Sequence, residues 1–141
     1  MQRRTFIKQA SASAAALSLG GLTATAQSYN RIVGANDRVH VAMIGCQRRF
    51  PGLLAGLSNT ENIKVTFVCD VDSRRQGKAM EKVSKDLGYR PEGEKDMRKI
   101  MEREDVDAVF HATPDHWHAP GAILSMQAGK HVYVEKPCSH N

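Results

Sequence analysis

One pattern constrains this chain more than any other: short, β-rich apolar runs alternate with stretches of helical period. Residues 38–45 (RVHVAMIG) predict a buried strand ending in glycine, and residues 63–69 (IKVTFVC) a second one closed by Asp70. Residues 106–112 (VDAVFHA) and 131–134 (HVYV) predict a third and a fourth. Between the first two, Pro51 opens a helix whose apolar face carries Leu53, Leu54 and Leu57. Ser73-Arg74-Arg75-Gln76 predicts a capping box at the head of a longer helix, with Met80, Val83 and Leu87 on one side and Gly88 as its stop. Residues 89–96 (YRPEGEKD) are polar and turn-like; Met97, Ile100 and Met101 mark a short helix, and a last helix runs from near Pro120 to Ala128. Such alternation builds an open, doubly wound α/β domain with a mostly parallel sheet, here over residues 36–141.

At 141 residues the chain has room for one ordinary domain. Lys and Arg number 20 against 15 Asp and Glu, but Arg3, Arg4 and Lys8 sit in a leader without acidic residues. Without those three the balance is nearly neutral, so a nucleic-acid partner is not expected. Residues 1–26 join that twin arginine to an apolar stretch over residues 10–22 and a small-x-small Ala24-Thr25-Ala26. They resemble a twin-arginine (Tat) signal peptide, which implies cleavage near Gln27, a linker over residues 27–35 and export of a folded chain to the periplasm. The stretch of 13 residues falls short of the about 20 that a bilayer span needs, so no stable membrane span is expected. Cys46, Cys69 and Cys138 are odd in number and irregular in spacing, which predicts neither a disulfide framework nor a zinc site. The first two read as small buried hydrophobes.

In open α/β sheets ligands bind beyond the carboxyl ends of the strands, where strand order reverses. Four features fall there. The turn Gly45-Cys46-Gln47-Arg48-Arg49-Phe50 has one glycine where a dinucleotide fingerprint has three, with Gln47 and Phe50 in place of the second and third. Overpacking at either position is expected to cost roughly 1–3 kcal/mol, which Arg48 and Arg49 near a helix N-terminus could offset by meeting phosphate. Asp70 ends the second strand, where a carboxylate can accept both ribose hydroxyl protons and favour NAD. Arg74 and Arg75 could instead meet the 2′-phosphate of NADP, and an acidic turn residue is the plainer alternative for Asp70. The third feature is Thr113-Pro114-Asp115-His116-Trp117-His118. With His111 it raises a metal reading that no ligand spacing supports, the alternative being a loop in which His118 or Ala119 caps a helix. The fourth is Glu135-Lys136-Pro137. A lysine facing a closed cleft can handle a proton, whereas a solvated lysine before a turn would not.

Taken together, TPDHWHAP over residues 113–120 and AGKHVYVEKP over residues 128–137 resemble the Gfo/Idh/MocA oxidoreductases. The resemblance covers roughly residues 36–141 and implies a Rossmann-like domain with NAD or NADP along the carboxyl edge of its sheet. It implies cofactor contacts from Gly45, Gln47, Arg48, Asp70, Thr113, Pro114 and His118, with Asp70 on the adenosine ribose and Glu135 and Lys136 beside the nicotinamide. Lys136 corresponds to the catalytic lysine that hydrogen-bonds the reacting hydroxyl of a sugar or cyclitol. Members continue into a second domain that supplies an acid/base histidine and most sugar contacts. Because this sequence ends at Asn141, the expectation is a truncated Rossmann-like sheet, a fragment that meets its substrate only with that domain and leaves residues 131–134 as an open edge. A homo-oligomer is compatible with the sequence. Two other readings stand beside the oxidoreductase: a structural remnant that binds nothing, and part of an NAD-dependent glycoside hydrolase. The EKP lysine block favours a dehydrogenase.

Overall fold

The computed structural model describes residues 38–139; the leader expected over residues 1–26 and the linker over residues 27–35 lie outside them. Five strands form one sheet: β1 (Val39–Ile44), β2 (Ile63–Cys69), β3 (Glu92–Glu94), β4 (Ala108–His111) and β5 (His131–Val134). Their order is β3-β2-β1-β4-β5, and every pairing is parallel. Parallel neighbours need crossovers, which α1 (Phe50–Ser58), α2 (Ser73–Leu87), α3 (Met97–Met101) and α4 (His118–Gln127) provide, with a 3-10 turn at Asp115–Trp117. The chain walks outward from β1 to β3, then returns to lay β4 on the other side of β1. Strand order therefore reverses between β1 and β4.

The strands bury both faces, as a parallel sheet must. Val41, Met43, Val65 and Val68 pack on one side with Phe50, Leu54 and Leu57 of α1 and Ala79 and Val83 of α2. Ala42, Ile44, Phe67, Cys69 and Val109 pack on the other with Val106 and Ile100 of α3. Strict alternation would separate Val65 from Val68. The register slips between Val41 and Ala42, which pair with Val65 and Phe67, so Thr66 is an extra residue in β2. Its hydroxyl donates to the Val41 carbonyl at 3.2 Å, satisfying the bulge locally.

Several expectations are corrected. The sheet has a fifth strand, because residues 92–94 pair with β2 instead of forming only a turn. A polar tripeptide suffices there because β3 is an edge, and the missing side chain of Gly93 admits α2: a Cβ would lie 2.9 Å from Gln76 Cδ. The cap of α2 is Asp72, not Ser73, for its carboxylate accepts the Arg74 backbone N–H at 2.9 Å. The last helix begins at His118, two residues before Pro120, because the 3-10 turn delivers the chain to it already wound. On α1 the deeply buried positions are Phe50, Leu54 and Leu57, with Leu53 half-buried at the margin. Phe50 is thus an anchor of the core and does not wedge the helix off the sheet. Cys69 is buried, but Cys46 only partly so. The edge expected at residues 131–134 is β5, which among the described residues pairs only with β4.

Candidate functional site

The carboxyl ends of β1, β2, β4 and β5 carry all four features singled out above. Gly45 leaves β1 with φ of 90°, and a Cβ there would meet the Ala112 carbonyl oxygen at 2.5 Å and Thr113 N at 2.8 Å. Both facts demand glycine: the conformation disfavours a side chain, and the backbone after β4 fills its space. The Gly45 N–H donates to the Cys69 carbonyl at 2.8 Å, so the first loop is pinned between the ends of β2 and β4.

Asp70 braces the same loop. One carboxylate oxygen accepts the Cys46 N–H at 2.9 Å and the other the Asp72 N–H at 2.9 Å. The turn and ligand readings of Asp70 are therefore not exclusive, since each oxygen keeps a lone pair. Asp72, besides capping α2, binds the Arg74 guanidinium at 3.2 and 3.0 Å, with Arg75 Nε at 3.8 Å. Those Arg74 hydrogen bonds hold the Asp72 carboxyl down at about 2. Burial pushes the thiols of Cys46 and Cys69 up to about 12, so neither supplies a thiolate at neutral pH.

Across the reversal point, the loops after β4 and β5 are tied together. His118 is buried at 2% exposure, its Nδ1 2.6 Å from the Pro137 carbonyl oxygen and its Nε2 2.8 Å from that of Thr113. Glu135 is also buried; its Oε1 accepts from Arg49 Nε at 2.8 Å and from the Tyr133 hydroxyl at 3.2 Å, with Arg49 Nη2 at 2.7 Å. The Arg49 guanidinium holds the Glu135 carboxyl below the usual carboxylate range. Thr113 Oγ1 is buried without a hydrogen-bond partner among the described residues, while Gln47, Arg48, Pro114 and Lys136 are exposed.

The three histidines of the metal reading do not converge. The Ser125 hydroxyl donates to the Gly121 carbonyl at 2.9 Å, so at 2.9 Å from His111 Nε2 it accepts the imidazole N–H. His111 Nδ1 is left bare and buried. Burial, assisted by the charge of the His118 ring, pushes His111 down to about 4. His116 is exposed beside Trp117.

A model of the oxidoreductase family described as having an NAD-binding Rossmann fold matches residues 39–141. The chain belongs to the Gfo/Idh/MocA family. Its sequence is 32% identical over 151 residues to a glycosyl hydrolase family 109 protein 2 of Shewanella sp. (strain ANA-3), covering 96% of this chain and 33% of that protein. It is 33% identical over 153 residues to a glycosyl hydrolase family 109 protein of Saccharopolyspora erythraea, with the same coverage of each. The chain thus spans about a third of the length of the curated relatives it matches. Among solved structures, a 3-ketoreductase from Actinomadura kijaniata in complex with NADP and TDP-benzene is 28% identical with a TM-score of 0.64, over 72% of this chain and 30% of that one. Scyllo-inositol dehydrogenase from Lactobacillus casei with bound NAD(H) and scyllo-inositol, 24% identical with a TM-score of 0.63, covers 74% of this chain and 29% of its own and shares the fold.

This Gfo/Idh/MocA domain suits a nicotinamide dinucleotide on three counts. The N-terminus of α1 has no side-chain cap; Pro51 carries no N–H and that of Leu53 donates to the Arg49 carbonyl, so the first-turn donors left for an anion among the described residues are those of Phe50 and Gly52. Asp70 places a carboxylate at the tip of β2, and the buried Thr113 hydroxyl has unused hydrogen-bonding capacity. The pairing of Arg49 with Glu135 and of Arg74 with Asp72 was not legible in the sequence, where both arginines looked available to phosphate. Only the alternation of opposite charges within Asp72-Ser73-Arg74 hinted at the second.

Proposed function

We propose that this chain is the cofactor-holding part of an exported oxidoreductase that acts on a CH–OH carbon of a sugar or cyclitol, with NAD preferred to NADP. The observation that carries the reading is the convergence of four loop tips, at Gly45, Asp70, Thr113 and Glu135, on the β1/β4 reversal. In this reading the α1 N-terminus, Gln47 and exposed Arg48 meet the pyrophosphate, and Asp70 takes the ribose hydroxyls. Thr113, Pro114 and buried His118 form the wall beside the cofactor, and Glu135 lies beneath the nicotinamide end. The commitment of Arg74 to Asp72 supports NAD, since a 2′-phosphate would have to displace that pair. A nicotinamide held there would supply the hydride donor or acceptor for the substrate carbon. Lys136 holds or delivers the proton at the reacting hydroxyl through Nζ, and the remaining substrate contacts come from residues beyond this domain. Arg3-Arg4 and the residues that follow support export, which a lysine pair at both positions would abolish.

The test is fluorescence titration of NADH and NADPH into the wild-type chain, Asp70→Ala and Asp70→Asn. NADH is expected to bind in the micromolar-or-weaker range and to lose about tenfold in either variant. Flat curves for all three proteins would favour the non-binding remnant. A second reading, an NAD-dependent glycoside hydrolase, is favoured by the glycosyl hydrolase family 109 relatives, which match at 32–33% identity. It shares the hydride step and differs in outcome. A chain with its second domain that releases free sugar without net NADH would decide for hydrolysis.

A further inference from the structure

We propose that Arg49 is a positioning residue for Lys136. It grips Glu135 from the loop after β1 while His118 holds Pro137, so the lysine is presented from a segment anchored on both sides. The inference rests on the reading of Lys136 as the proton-handling lysine, and the geometry supplies the rest. Glu135 is fixed at one oxygen, Oε1, which Arg49 Nε and Nη2 reach at 2.8 and 2.7 Å and to which the Tyr133 hydroxyl donates at 3.2 Å, and by its own N–H donating to the His111 carbonyl at 3.1 Å. Pro137 is fixed through its carbonyl by His118 Nδ1 at 2.6 Å, and the same ring reaches back to Thr113 at 2.8 Å. Lys136, between these neighbours, remains exposed.

Arg49 belongs to the loop after β1, so its grip joins that loop to the segment after β5. Tyr133, the third member, is itself stacked on Phe110 of β4 with ring centroids 5.0 Å apart. The tie therefore connects β1, β4 and β5. Arg49 has Nε and Nη2 committed to Glu135, whereas Arg48 in the same loop has no carboxylate partner among the described residues and is the basic side chain there that can serve the cofactor.

Lysine reactivity tests the proposal without cofactor. Each lysine of the chain is acetylated with an N-hydroxysuccinimide ester across a range of pH, and the rate at Lys136 is taken relative to exposed Lys78 and Lys85 on α2 by mass spectrometry. In Arg49→Ala and Glu135→Gln this ratio and its pH profile are expected to move about threefold or more from wild type, with Arg49→Lys returning toward it. An unchanged ratio in Arg49→Ala would overturn the proposal; if that variant does not fold, an unchanged ratio in the nearly isosteric Glu135→Gln would do so. NADH titration of the same proteins runs in parallel. A wild type that ignores NADH while its Lys136 ratio responds to Arg49 removes the cofactor reading and leaves the grip standing.

Discussion

His111 shows how a single residue links packing to solution behaviour. It lies wholly buried, donating to Ser125, with Gly121 pressed against its ring: a Cβ at position 121 would come within 2.7 Å of His111 Cε1. Burial and the neighbouring charge of His118 lower its folded-state pKa to about 4, against about 6.5 in an unfolded chain. Between those values the unfolded chain binds the extra proton, so stability rises with pH there. It is fully present above about pH 6.5, falls by about 3 kcal/mol as pH drops toward about 4, and loses nothing further from this group below that. Denaturant midpoints measured against pH should show this slope in wild type and a flatter one in His111→Leu; equal slopes would contradict the assignment. At this scale the sequence carried positions better than partners. Asp70 and Glu135 were legible as strand-end residues because the apolar runs before them stop abruptly. That Asp70 braces two backbone N–H groups, or that Glu135 meets Arg49, depends on the meeting of loops distant in the chain, which local spacing does not encode.

Among the elements, α1 separates pattern from geometry most clearly. Three leucines marked its apolar face, yet the buried set is Phe50, Leu54 and Leu57, spaced four and three residues apart along one stripe, while Leu53 sits half-buried at the edge. Leu54→Ala, at a site of 0% exposure, should therefore cost roughly 2–5 kcal/mol, and Leu53→Ala less than half as much. Thermal melts of the two variants check this, and equal losses would mean that the helix is rotated from its described position. The strands β1, β2, β4 and β5 were readable because β-branched and apolar residues run unbroken between turn signals. β3 was not, for Glu-Gly-Glu has neither β propensity nor alternation and becomes a strand only because β2 offers it an open edge. The cap of α2 was displaced by one residue because serine and aspartate both cap well. Which of them does so follows from the backbone: Asp72 is extended, with φ −88° and ψ 108°, whereas Ser73 is already helical.

For the whole molecule, the decisive feature is the reversal of strand order between β1 and β4 in a sheet whose strands all point the same way. That topology gathers the loops after four strands on one edge, and their hydrogen bonds tie them together: Gly45 to Cys69, Cys46 to Asp70, Arg49 to Glu135 and His118 to Pro137. The alternation of elements made this architecture legible in the sequence, since right-handed crossovers leave few alternatives. The closeness of the tips was not legible, because it depends on side chains reaching across the reversal. Heteronuclear NMR of the nitrogen-labelled chain titrated with NADH tests the central claim most directly. The account predicts amide shifts confined to residues 45–50, 70–72, 113–118 and 135–138, moving together with one dissociation constant. Shifts scattered over the opposite edge of the sheet, or none at saturating cofactor, would contradict it.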